Sequence, residues 1–204
     1  MSTDPSIWDD PSVSDTWPAE YDRVILDEVD STMEEAKRRG SGLILNTWIM
    51  ARKQTDPHGR RSRPWIEPEG NFAATLAIVS PGPPQAAALR SFIACVALGQ
   101  TLNLLGLGSK LSYKWPNDVL LDGGKVAGIL LENDPVLGLL CVGIGVNLRA
   151  APDPSAVEEG AVTPVSVLGA GGPELRPDDL LLPLAVCFEE YERVFNTYGF
   201  DPIR

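Results

Sequence analysis

The chain has 204 residues, 44% of them hydrophobic and 22% charged, with a formal net charge of −11. This is one domain's length with enough apolar material for one core, and any second domain must be small. The acidic balance excludes general binding to nucleic acid or anionic membranes, which cationic side chains drive, and suits small acidic ligands held at one local basic site.

Residues 1–22 contain Asp4, Asp9, Asp10, Asp15, Glu20 and Asp22, no Lys or Arg, and three prolines. They read as an irregular acidic leader, with Trp8 and Trp17 available to pin it to the domain that fills 23–204. A secretory signal would need a positive start and an apolar run, and neither is present. The leader is also too short and too acidic for a DNA-binding helix-turn-helix.

"RVILDEV" (23–29) alternates like a strand, and "DSTMEEAKRRG" (30–40) reads as a helix. Ser31 with Glu34, and Thr32 with Glu35, have capping-box spacing, and Gly40 is the expected stop. "LILNTWIMA" (43–51) and "NFAATLAIVS" (71–80) are further strands on either side of a basic loop. "QAAALRSFIACVALGQTLNLLG" (85–106) is apolar around most of its circumference, which predicts a buried helix; no run of about 18 apolar residues suggests a membrane span. Short strands follow over 110–147, with hairpin turns expected at "DGG" (122–124) and "NDP" (133–135). Residues 150–177 are rich in Ala, Pro and Gly and read as a connecting loop, and 178–199 as a final amphipathic helix with Pro183 in its first turns. The order implies an α+β fold: a mixed, largely antiparallel sheet with helices packed on one face. Cys95, Cys141 and Cys187 are odd in number, widely spaced and set in apolar runs, as buried reduced thiols of a cytoplasmic protein would be.

Three clusters carry chemistry. In "QTDPHGRRSRPW" (54–65) and the two residues before it, Arg52, Lys53, Arg60, Arg61 and Arg63 are offset only by Asp56. Arginine forks suit phosphate or carboxylate, so the loop is either an anion site or an exposed basic loop. In "KWPND" (114–118), Asn117 and Asp118 are hard oxygen donors of the kind that help hold Mg²⁺ on a nucleotide, although Pro116, Asn117 and Asp118 also form turns. In "GGKVAGILLE" (123–132), Lys125 stands at the edge of an apolar strand, where it either snorkels or reaches into a cavity. Gly128 there, and the glycines of "GIGVN" (143–147), let a ligand or another part of the chain approach closely, or serve helix-on-sheet packing.

Together, and in this order, "DSTMEEA", "QTDPHGRRSRPW", "PEGNFAAT", "KWPNDVLL", "GGKVAGILLE" and "GIGVN" resemble the catalytic domain of the biotin protein ligases. The resemblance spans 23–147, and the final helix through "YGFDPIR" is also similar. It implies the fold of that catalytic domain, shared with class II aminoacyl-tRNA synthetases, without the N-terminal DNA-binding domain or the C-terminal SH3-like domain that some members carry. It also implies an enzyme that uses ATP and Mg²⁺ to activate biotin as biotinyl-5′-AMP, then transfers it to one lysine of a biotin carboxyl carrier domain.

By position, the resemblance assigns Ser31, Thr32, Gln54 and Gly128 to the biotin head group. Arg60 and Lys125 would hold the carboxylate and then the adenylate phosphate, with Lys125 the first choice for stabilising charge in the transition state. Asn117 and Asp118 would bind Mg²⁺ and the ATP phosphates; Arg63, Trp65 and Asn147 would lie near adenine and ribose, and Lys114 on the ATP side. Some members of the family dimerise through sheet edges and others stay monomeric. The sequence departs from the family pattern at Pro57 and His58, where the family has glycine and arginine, and at Met33, where it has asparagine. One lost charge-assisted hydrogen bond is worth about 1.5–3 kcal/mol, so the altered loop implies a weaker hold on the adenylate. Three alternatives stand beside this reading: a relative that binds biotin or nucleotide with little or no turnover, a ligase for lipoate or octanoate, and a biotin operon repressor, which the leader cannot supply with a DNA-binding domain.

Overall fold

The computed structural model describes residues 16–158 and 160–203. Residues 1–15 of the expected leader over 1–22, with Trp8, lie outside the described residues. Trp17 lies within them: its indole N–H donates to Tyr21 O at 2.7 Å, and Arg23 stacks over its ring at 4.8 Å. The first strand begins earlier than the sequence suggests, at a buried Tyr21.

The strands are β1 (Tyr21–Leu26), β2 (Asn46–Ala51), β3 (Phe72–Val79), β4 (Leu111–Lys114), β5 (Asp118–Leu121), β6 (Gly124–Asp134) and β7 (Leu139–Val146). They form one seven-stranded sheet in the order β1-β2-β3-β7-β6-β5-β4. β1 pairs with β2 in parallel and every other pairing is antiparallel. The parallel pair requires a crossover, and α1 (Thr32–Arg39) supplies it.

The long helices α2 (Pro84–Leu102) and α3 (Pro177–Tyr198) share one face of the sheet as expected, and bury Trp48, Met50, Leu76 and Val142 against Leu98, Leu184 and Phe188. The short α1 departs from that expectation and lies on the opposite face. There Met33 and Ala36 meet Ile49, Ala77 and Cys141, which alternate along their strands with the residues facing α2 and α3. The α1 face is covered only over β2, β3 and the start of β7, so the rest of it stays open as a groove.

The run Pro84–Lys110 is long and apolar enough to cross a membrane by composition alone, but it is the core helix of this domain, with most of its apolar window buried. After Leu102 it loosens into a π-type turn, Asn103–Leu107, within which Gly106 has φ 78°. Gly40 does not end α1 with a left-handed turn; its φ is −43°, and it leads into a 3₁₀ turn. The turn at 122–124 is as expected, with positive φ at Asp122 and Gly123. The turn expected at 133–135 lies further on: β6 continues to Asp134, whose carboxylate accepts from the amides of Val136 and Leu137, both at 3.0 Å. Pro183 is buried inside α3, past the first turn. The three cysteines are free and buried, and burial pushes the thiols of Cys95 and Cys141 up to about 12, so neither is a nucleophile.

Candidate active site

The open part of the α1 face is a cavity of about 760 Å³, within the size range of small-molecule sites. Its floor is made of small residues: Thr75 on β3, Gly143 and Gly145 on β7, and Gly128 on β6. Register aligns them, with Thr75 opposite Gly143 and Gly145 opposite Gly128. A Cβ at Gly145 would sit 2.7 Å from the Trp65 ring, one at Gly128 3.1 Å from it, and one at Gly143 2.8 Å from Met33 Cε. The glycines therefore admit Trp65 and Met33 onto the floor of the groove. The space above Gly128, which the sequence reading gives to the biotin head group, holds Trp65 and the end of Lys125.

One end of the cavity is polar and neutral. Ser31 caps α1, accepting from Met33 N at 3.2 Å, and its own amide donates to Asp30. Thr32 donates its amide and its hydroxyl to Gln54 Oε1, at 2.8 and 3.1 Å, and its hydroxyl also lies 2.9 Å from that of Thr75. The amide of Gln54 donates to Glu67 at 2.7 Å. Burial raises the Glu67 carboxyl above its ordinary range, and the bond from Gln54 works against that rise.

The other end is charged. Arg60 donates to Asn117 Oδ1 at 3.0 Å, and Asn117 is held by two bonds with Ile129, one from its side-chain amide and one to its carbonyl. Lys125 pairs with Asp118 at 2.8 Å and lies 5.6 Å from the Trp65 ring centroid, a cation–π contact. Arg63 pairs with Glu158 of the long loop over 150–177. That loop does more than connect. It runs beside Lys125, accepting from Lys125 N at Thr163 O and donating back from Val165 N, and Pro152, Val157 and Val162 close over the cavity. Asn147 braces the same loop, donating to Val165 O at 3.0 Å. Lys114 lines the β4 side.

All twelve residues that the resemblance assigns to the site thus line one cavity, whereas Arg52 and Lys53 of the basic cluster lie outside it and pair with Asp27, Asp178 and Glu28. Gln54 and Asn147 differ from expectation in detail, because much of their hydrogen-bonding capacity holds protein groups. The basic loop folds on itself, with Gly59 N bonded to Arg63 O and Trp65 N to Pro57 O, around Arg61 at φ 60°. His58 lies 3.3 Å from Glu132, which pairs with Lys37. Glu34, His58 and Glu132 approach one another closely, but Lys37 lies 2.7 Å from both carboxylates and is already paired with them. Sequence reasoning missed Thr75, Glu67 and Glu158. Thr75 closes the quoted stretch "PEGNFAAT" and Glu67 lies just before it, but neither residue type signalled a role there, and Glu158 has no motif around it.

A divalent cation would find one carboxylate and one amide oxygen here, from Asp118 and Asn117. That set fits Mg²⁺, which keeps most of its coordination for water and substrate phosphates. Because Lys125 and Arg60 rest on the same oxygens, the phosphates would have to balance all three cations.

Residues 26–148 match the biotin/lipoate A/B protein ligase family. The chain belongs to this family. Among its ligase relatives, a biotin–[acetyl-CoA-carboxylase] ligase of Paracoccus denitrificans is 48% identical over 184 residues, which cover 88% of this chain and 77% of that protein. The bifunctional ligase/repressor BirA of Bacillus spizizenii is 33% identical over 189 residues, 89% of this chain and 57% of that protein. Among solved structures, biotin protein ligase from Aquifex aeolicus in complex with biotin and ATP superposes with a TM-score of 0.73 at 25% identity, over 89% of this chain and 74% of that one. The Leishmania major enzyme in complex with biotinyl-5-AMP shares the fold, with a TM-score of 0.70 at 24% identity over 91% of this chain and 81% of that one. The family match includes the basic loop, Lys125 and Asn147, and stops short of the loop that covers them.

Proposed function

We propose that this protein is an ATP-dependent biotin–[acetyl-CoA-carboxylase] ligase, acting in the cytoplasm on a biotin carboxyl carrier domain, with residues 23–204 as its catalytic domain. The observation that carries the reading is the two-ended cavity. A neutral polar end at Thr32, Gln54 and Thr75 stands apart from a cationic end at Arg60 and Lys125; Thr75 on β3 and Lys125 on β6 are two strand spacings from each other, roughly 10 Å. This suits an acid with a small polar ring at one end and a carboxylate at the other. The 48% identity to a named biotin ligase supports biotin as that acid, ahead of lipoate.

In the first step, a biotin carboxylate oxygen attacks the α-phosphorus of ATP. The bond to pyrophosphate breaks, and biotinyl-5′-AMP forms. Two anions must meet, so Arg60 and Lys125 hold the carboxylate and the α-phosphate and stabilise the charge that develops between them. Mg²⁺, when bound by Asn117, Asp118 and the phosphates, supplies further positive charge. Arg63, Trp65, Lys114 and Asn147 form the nucleotide side, and the loop over 150–177 keeps water from the anhydride. In the second step, the neutral amine of the carrier lysine attacks the biotinyl carbonyl carbon. The bond to AMP breaks, AMP leaves with the electron pair, and the amine loses a proton.

The direct test is pyrophosphate release from MgATP. Release is expected only when biotin is present. Biotin binding without release would instead mark a binding protein, and release with lipoate or octanoate but not biotin would mark an acyl ligase of the other kind.

A further inference from the structure

Glu67 is outside the set of residues that line the cavity, and nothing in the proposed reaction uses it. Its carboxylate is nevertheless the anchor of a directional chain of hydrogen bonds that ends on the cavity floor. Gln54 Nε2 donates to Glu67 Oε2 at 2.7 Å, which orients the Gln54 amide. Its carbonyl oxygen then faces α1, where it accepts from Thr32 N and Thr32 Oγ1 at 2.8 and 3.1 Å. The Thr32 hydroxyl has one proton, and that bond uses it. The 2.9 Å contact between Thr32 Oγ1 and Thr75 Oγ1 must therefore run the other way, with Thr75 donating. The Thr75 hydroxyl, fully buried among apolar strand neighbours, is left as an acceptor on the floor of the cavity.

We infer that Glu67 is a positioning residue for ligand recognition: through Gln54 and Thr32 it sets the Thr75 hydroxyl as an acceptor for an N–H of the ligand's polar ring. The inference rests on the reading of the cavity as a biotin site, because a cyclic urea supplies such an N–H and a dithiolane ring does not. With Glu67 removed, the Gln54 amide loses its anchor at one end. A flipped amide would then face the Thr32 amide with its own N–H groups, and the direction of the chain would be lost.

The test is steady-state kinetics and biotin titration calorimetry on the unaltered protein and on E67L, E67Q and T75V. E67L is expected to raise KM for biotin about tenfold, with kcat at saturating biotin and KM for ATP unchanged. E67Q keeps an oxygen that can accept from Gln54 and is expected to recover most of that loss, which separates positioning from a purely structural role. T75V is expected to lose about as much as E67L, and the double variant no more than T75V, because both act on one acceptor. KM for biotin within twofold of the unaltered protein in E67L, or additive losses in the double variant, would overturn the inference while leaving a biotin site intact. Failure of the unaltered protein to bind biotin would overturn both readings.

Discussion

Lys125 is held at three points before any substrate arrives. Its backbone pairs with the loop at Thr163 and Val165, its ammonium lies 2.8 Å from Asp118, and the Trp65 ring flanks it. A charge fixed in this way need not reorganise when the carboxylate and phosphate meet, so Lys125→Ala should lower kcat for biotin-dependent pyrophosphate release by about 10²–10³-fold. Thermal melting should show the variant folded; a loss under threefold would remove Lys125 from the chemistry. Asp30, which precedes the α1 cap residue Ser31, gives a pH prediction. Its bonds from Arg38 and from the Ser31 amide lower its pKa from 3.8 to about 2. The folded state therefore binds that proton less readily than the unfolded chain. The stabilisation is complete above about pH 4 and disappears as pH falls through 2. Denaturation profiles of Asp30→Asn should converge with those of the unaltered protein over that window, and a constant offset would contradict the assignment. At this scale the sequence displayed the cations and the oxygen donors, because their motifs are unusual. It did not display that Thr75 and Glu67 bond to Thr32 and Gln54, because those partners lie elsewhere in the chain.

The elements explain why the site is open where it is. α2 and α3 pack the centre of one face, and between them Arg90 and Glu192 form a buried pair at 2.7 Å, with Arg90 also bonded to the carbonyls of Pro81 and Ala86 and stacked against Phe195. Removing one partner strands the other charge inside the protein. Glu192→Ala should cost about 3–5 kcal/mol and lower Tm by roughly 10 °C, while a paired replacement of Arg90 and Glu192 by Met and Leu should restore most of it. Equal losses in single and paired variants would contradict this account. The opposite face is packed only by α1, eight residues long, and its N-terminus opens onto the cavity. Strand and helix positions were legible in the sequence from periodicity and glycine stops. The side of the sheet taken by α1 was not, because its apolar stripe is short and a β–α–β crossover can be read from the chain only once the strands are known to be parallel. The loop over 150–177 was legible as irregular, since Ala, Pro and Gly dominate it. That it lies along Lys125 depends on backbone bonds that composition does not encode.

For the molecule as a whole, the acidic surface and the local basic cavity belong together. Of the 17 basic residues, Arg60, Arg61, Arg63, Lys114 and Lys125 converge on one cavity in a chain with a net charge of −11. Anionic ligands are thus drawn to this cavity. The family was legible from the motifs because each one supplies a part of the cavity: "PEGNFAAT" runs into β3, "KWPNDVLL" into β5, "GGKVAGILLE" into β6 and "GIGVN" lies at the end of β7. The central claim is that this cavity joins biotin to a carrier lysine, and intact mass spectrometry tests it most directly. A biotin carboxyl carrier domain incubated with the protein, biotin and MgATP should gain the mass of one biotinyl group, and should gain none when ATP is left out or the acceptor lysine is replaced. An unmodified carrier, or one modified by lipoate in preference to biotin, would contradict the claim.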